Sequence, residues 1–143
     1  VVQKYLSRIS GPLLDRIDIH IEIVPVPFEK LSELRDAESS QAVRERVIKA
    51  RQIQEERFNA IPGVYCNAQM SSKQMRSFAQ LDKAGAELLK NAMQRLNLSA
   101  RAYDRIIKVA RTIADLDNTA EILSNHIAEA INYRNLDREG WAG

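Results

Sequence analysis

Between residues 17 and 23 isoleucine alternates with polar residues, Ile17, Ile19, Ile21 and Ile23 against Asp18, His20 and Glu22. A period of two with β-branched side chains predicts a half-buried strand over 17–26, which Pro25 and Pro27 stop. Ser10-Gly11-Pro12 marks a break before it. No other segment carries a convincing strand pattern, so this strand needs a partner from elsewhere or from a second copy of the chain. After Pro27 the period becomes helical. Residues 28–35 suit a short helix or turn, and 40–59 a long amphipathic helix with Val43, Val47, Ala50 and Ile53 on its apolar side. Glu45–Lys49 and Arg51–Glu55 are charge pairs four apart on its other faces, and Pro62-Gly63 ends it. Residues 64–70 form a link. Ser71 and Gln74 fit a capping box for a short helix to about Gln80. Asp82 caps the next helix, to about Leu96, with Leu89, Ala92, Met93 and Leu96 inward. Ser99 caps a third, whose stripe is Ala102, Ile106, Val109, Ala110 and Ile113. After a turn through Asp117-Asn118-Thr119, Ser124 is expected to cap a last helix through Tyr133 and Arg134, burying Ile127, Ala130 and Ile131. The fold class expected is mainly α: a bundle of four or five helices preceded by one β-strand within residues 1–27.

Composition supports this and narrows it. Apolar residues make up 45% of the 143, enough for a core, while 6% aromatics and five glycines disfavour a β-sandwich or barrel. The four prolines all precede residue 63, which leaves the remainder open to long helices. The single cysteine, Cys66, excludes an internal disulfide and a cysteine-based zinc site, and suits a reducing compartment. No run approaches the roughly 18 apolar residues of a membrane span, and the first residues lack a signal-peptide pattern. A cytoplasmic location is expected, without a membrane partner. The chain does not begin with methionine, so it is expected to be a piece of something longer. Net charge is only +2, but residues 71–111 carry nine Lys/Arg against three Asp/Glu, and 112–143 two against six. That asymmetry suits an anion-facing surface, phosphate or nucleic acid, and equally a solvated helical surface of uneven charge.

Several kinds of chemistry have no motif here: no phosphate loop of the GxxxxGK[ST] type, no GxGxxG and no HExxH. His20 and His126 lie on different elements, so neither a metal pair nor a partner for Cys66 is indicated. Two arginines carry the remaining interest. Arg16 directly precedes the strand, where a loop would present its guanidinium. Arg101 falls in the first turn of the third bundle helix, with Arg105 and Lys108 continuing a positive stripe opposite the apolar one. A planar, permanently charged guanidinium suits phosphate oxygens. By spacing alone, Arg16 could equally pair with Asp15 or Asp18, and Arg101 could belong to a solvated face.

Five segments together point to a family. Tyr5 to Ile23 (YLSRISGPLLDRIDIHIEI) resembles the end of the AAA+ module in the YifB/ComM proteins, bacterial ATPases related to the magnesium chelatase ATPase subunit. Residues 67–72 (NAQMSS), 98–105 (LSARAYDR), 109–116 (VARTIADL) and 126–134 (HIAEAINYR) resemble the same group in the same order. The resemblance implies a remnant of the AAA+ core at 1–27, a linker at 28–39, a helical lid at 40–137 and a tail at 138–143. It implies that Arg16 matches an arginine finger acting in trans and Arg101 a sensor 2 residue that contacts nucleotide phosphate, with Arg105 beside it. ATP and Mg²⁺ would serve the full-length protein, with other subunits of a ring as partners and DNA as a further one. The phosphate loop and the acidic magnesium motif are missing, so the chain alone is expected to bind no cofactor or metal and to be inactive as an ATPase. An unpaired strand 17–24 would let it self-associate. Two alternatives stand beside this reading: a magnesium chelatase motor subunit, and a stand-alone helical DNA-binding module.

Overall fold

The structure is a computed structural model that describes residues 11–21, 23, 25–28 and 37–134. The possible helix or turn at 28–35 falls almost wholly outside these residues, as does the tail. The expected break at Gly11-Pro12 is instead a single helical turn, α1, Gly11–Leu14. The long helix is α2, Ser40–Phe58, opened by Ser39 Oγ accepting the Ala42 N–H at 3.2 Å. A 3₁₀ turn at Asn67–Gln69 follows within the expected link. Next come α3, Ser72–Phe78, α4, Lys83–Arg95, α5, Ala100–Leu116, and α6, Ser124–Asn132. The described residues thus form a mainly helical domain, as expected.

The caps account for where these helices begin. Ser71 and Gln74 form the reciprocal capping box, Asp82 Oδ1 accepts the Gly85 N–H at 2.7 Å, and Ser99 Oγ accepts the Ala102 N–H at 3.2 Å. The last helix departs from expectation. Leu123 occupies the cap position, Ser124 is the first helical residue, and the imidazole of His126 reaches back so that its Nδ1 accepts the Leu123 N–H at 3.0 Å. Nε2 of that ring therefore carries the proton and donates to Asp117 Oδ2 at 3.1 Å.

Helix α5 is the axis of the fold. It packs against α2, α3, α6 and the 3₁₀ turn, and α4 closes on α6. Ala102, Ile106, Ala110 and Ala114 of α5 are fully covered, with Leu89, Ile122 and Ile127 around them. Phe58 and Phe78 meet edge to face at 5.6 Å. The α2 stripe is covered only in part. Ala50, Gln54 and Phe58 are buried, whereas Val43 and Val47 stay exposed. A 19-residue helix is about 28 Å long, and its tertiary contacts gather near its C-terminal end: Gln54 accepts the Asn67 N–H, Arg57 pairs with Asp115 of α5, and Phe58 joins the core.

A polar cluster sits inside this packing. Asp115, fully buried on α5, accepts from Arg57 at 2.8 Å and from Asn67 Nδ2 at 2.7 Å, with a second Arg57 nitrogen on its other oxygen. Arg111 adds a contact from one turn earlier at 3.0 Å and sends its other donors to the carbonyls of Thr119 and Ala120, both at 2.7 Å. The cluster fixes α2, the 3₁₀ turn and the α5–α6 turn to one helix. It also corrects the charge map, because Arg111 belongs to the core and contributes nothing to a basic surface. Burial pushes its guanidinium below the ordinary arginine range, with Asp115 opposing and Arg57 reinforcing the shift.

The predicted strand is not formed among the described residues. Residues 17–21, 23 and 25–27 run without sheet partners, since no second β segment lies beside them. Nor do its described residues keep two alternating faces, since Asp18 is as exposed as the isoleucines and His20 alone is buried. His20 faces inward at 5% exposed, while Ile17, Ile19, Ile21 and Ile23 face outward, between 42% and 89% exposed. In place of a ladder, the His20 N–H donates to the Tyr133 carbonyl at 2.7 Å, at the end of α6.

Candidate functional site

A groove of about 480 Å³ runs along the exposed flank of α5. Its floor is the helix itself, from Arg101 at the N-terminal end to Leu116 at the other. Asp18 and Ile19 contribute one wall, and Glu129 and Tyr133 of α6 line it as well. Arg101, Arg105 and Lys108 enter it from successive turns, since spacings of four and three residues keep a helical face. Val109, Ile113 and Leu116 continue the groove with apolar surface. The Ser99 cap fixes where α5 starts and therefore places Arg101 in its first turn, at the positive end of the helix dipole.

The three cations are in different states. Arg105 pairs with Asp18, and Lys108 Nζ donates to the Ala68 carbonyl at 3.0 Å. Arg101 is exposed and has no ion-pair partner among the described residues. Three carboxylates, Asp18, Asp104 and Glu129, line the same groove. Glu129 Oε1 accepts the Tyr133 hydroxyl at 3.0 Å, and this bond, aided by the carboxylate's charge, raises the phenol above its ordinary pKa of 10.0. The described residues contain no group of three or more His, Cys, Asp or Glu placed to hold a metal ion. No helix among them is long and apolar enough to cross a membrane.

Arg16 lies apart from the groove, in a turn after α1, with its N–H on the Leu13 carbonyl at 3.0 Å and its side chain exposed. Neither acid that could have paired with it does so: Asp15 faces Arg134 at 3.7 Å, and Asp18 faces Arg105. Of the three arginines singled out from sequence, Arg101 and Arg105 therefore come together, while Arg16 sits two residues before the acid that touches Arg105. The pairing of Asp18 with Arg105, the place of Tyr133 in the groove and the burial of Arg134 were not anticipated from sequence. Arg134 closes the HIAEAINYR segment, but an arginine at a helix end ordinarily reads as solvated surface, and here it is 1% exposed.

Residues 37–134 match the family described as magnesium chelatase, subunit ChlI C-terminal, and residues 1–31 match magnesium chelatase, subunit ChlI. The chain belongs to this family. Among individual proteins it is similar to the competence protein ComM of Haemophilus influenzae, 44% identical over 138 residues, and to YifB of Escherichia coli, 41% identical over 136. A protein of Mycobacterium bovis is 33% identical over 132 residues. These alignments cover 96%, 94% and 92% of the chain but 26% of each relative, so the chain spans about a quarter of the length of the curated relatives it matches.

Proposed function

We propose that this chain is the lid region of a YifB/ComM-type AAA+ ATPase, with Arg101 as the sensor 2 residue on nucleotide phosphate and Arg16 as an arginine finger serving the neighbouring subunit of a ring. The observation that carries the reading is the state of Arg101: exposed, in the first turn of α5, without an ion-pair partner among the described residues, at the mouth of a groove large enough for a nucleotide's phosphates. Arg105 is second to it, because a phosphate would have to displace Asp18. Arg16 suits action in trans, since its exposed guanidinium stands outside the groove on a fixed turn. A cation delivered to the developing γ-phosphate charge is worth on the order of 10³–10⁵ in rate. The acidic ligands for Mg²⁺ and the loop that cradles ATP would come from residues other than those described here, and the chain alone is expected not to hydrolyse ATP.

The energy of hydrolysis would drive DNA remodelling or branch migration. That step rests on the family and on its relative ComM, a competence protein. A magnesium chelatase motor subunit is the alternative on the same fold. A stand-alone DNA-binding module fits less well, because the groove's three cations are matched by three carboxylates and Arg111 is buried. That balance favours a compact phosphate group at Arg101 over a long polyanion track. The outward isoleucines of 17–23 supply an apolar face through which the isolated chain would self-associate. The deciding experiment is Arg101→Ala in the full-length protein. ATP affinity and hydrolysis should both fall by tenfold or more, about what one charge-assisted phosphate contact provides; wild-type values for both would sink the sensor 2 assignment.

A further inference from the structure

We infer that Arg134, at the end of α6, is a positioning residue for Arg16. The inference rests on the reading of Arg16 as the finger and adds what holds it. The guanidinium of Arg134 is buried, its Nη1 donates to the Ile17 carbonyl, and its Nη2 lies 3.7 Å from Asp15 Oδ1. Ile17 and Asp15 are the residues on either side of Arg16. The guanidinium therefore hydrogen-bonds the residue after the exposed arginine, across 117 positions of sequence, and faces the carboxylate of the residue before it. Hydrogen bonds along the chain complete the fixation. The N–H groups of Arg16 and Ile17 donate to the carbonyls of Leu13 and Leu14 at 3.0 Å, His20 Nε2 bonds the Leu14 carbonyl at 3.2 Å, and the His20 N–H reaches Tyr133. The backbone at Arg16 is thus held on both sides while its side chain projects outward.

A purely structural role would not need this group. Burying a guanidinium costs several kcal/mol of desolvation, and an apolar side chain of similar volume would fill the space without it. What the guanidinium adds is direction: a hydrogen bond to the Ile17 carbonyl and the attraction of Asp15 bear on residues 15–17 from one rigid, buried group. A lysine at 134 would keep the charge but could not present the same pair of donors. A misplacement of about 1 Å at a group acting on a transition state costs up to about 10²-fold in rate.

The test uses the full-length protein, with steady-state ATP hydrolysis measured for Arg134→Lys, Asp15→Asn, Arg16→Ala and the double variant Arg16→Ala/Arg134→Lys. For Arg134→Lys kcat should fall about 10- to 100-fold while KM for ATP stays within about two-fold, because the finger acts in the transition state. Asp15→Asn should lose less, in the same parameter. The double variant should be no slower than Arg16→Ala alone, since a residue that acts through Arg16 has nothing left to position. Wild-type kcat in Arg134→Lys would overturn the inference, as would losses that multiply in the double variant. Should Arg134→Lys fail to fold, Asp15→Asn decides alone, and wild-type kcat there overturns it. If Arg16→Ala itself hydrolyses ATP normally, the finger reading fails and the inference falls with it; impaired Arg16→Ala beside normal Arg134→Lys removes only the positioning role.

Discussion

Replacing Asp115 by asparagine should be among the most damaging conservative changes in the domain. Its carboxylate has no exposure and is the single negative charge between Arg57 and Arg111, whose side chains are 14% and 3% exposed. Arg57, Asn67 and Arg111 each direct at least one donor at its two oxygens. Asparagine keeps the shape but removes the charge and turns an NH₂ group towards donors. A buried and a partly buried guanidinium would then face each other with no negative charge between them, and Arg111, already pushed down by burial, would lose the contact that opposes the shift. Breaking a buried ion pair from one side costs about 3–5 kcal/mol. Against a total stability of about 5–15 kcal/mol that is a large fraction, and at about 4–8 °C per kcal/mol for a domain near 100 residues Tm should drop by more than about 12 °C. Urea unfolding of the 143-residue chain followed by far-UV circular dichroism measures it. A loss under about 1 kcal/mol with an unchanged m-value would refute the reasoning, because it would mean that the two arginines do not depend on the carboxylate. The combined change Arg57→Met, Arg111→Met and Asp115→Leu should recover much of the loss, since burying no charge removes the desolvation penalty. Recovery should stay incomplete, because the carbonyls of Thr119 and Ala120 lose their donors.

Two further outcomes follow from the surface. The 143-residue chain should self-associate through its outward isoleucines, so light scattering should give a mass above the monomer that reverts to monomer when residues 1–27 are deleted; a monomer in both cases would contradict it. Tyr133→Phe should be less stable than the parent by about 0.5 kcal/mol or less at neutral pH, the bond to Glu129 being largely exposed. Because that bond raises the phenol's pKa, its contribution is complete below the unfolded value near 10 and is lost as pH rises through the higher folded value. Urea titrations across the alkaline range should show the two proteins converge there, and a gap that widened with pH would reverse the sign assigned to the bond.

How far the sequence carried can be judged residue by residue. The capping residues Ser71, Asp82 and Ser99 and the stripe around Ile106 and Ala110 were legible because both signals are local: an N-cap acts over three positions and a helical face repeats every three to four. Ser124 misled because a serine before a helix is a frequent cap, whereas here a ring three residues past the true cap, His126, takes the role. Val43 and Val47 misled because periodicity names a face without saying how far its partner reaches. The isoleucine alternation misled because it yields a half-buried strand only where a sheet receives it, and here the isoleucines and Asp18 alike stay exposed.

Sequence alone determined the mainly helical class, the order of the helices, the starts of three of them and the placing of Arg101, Arg105 and Lys108 on one face, since each depends on neighbours within about one or two helical turns. Only the tertiary structure decided which charged residues are core and which are site. Arg111 and Arg134 are arginines like Arg101, yet two are buried and one is exposed, because burial depends on partners beyond the local turn: the Thr119 and Ala120 carbonyls and the shared Asp115–Arg57 pair for one, the Ile17 carbonyl 117 positions back for the other. A guanidinium enters a core only where folding gathers those acceptors around it, and no local pattern records that meeting.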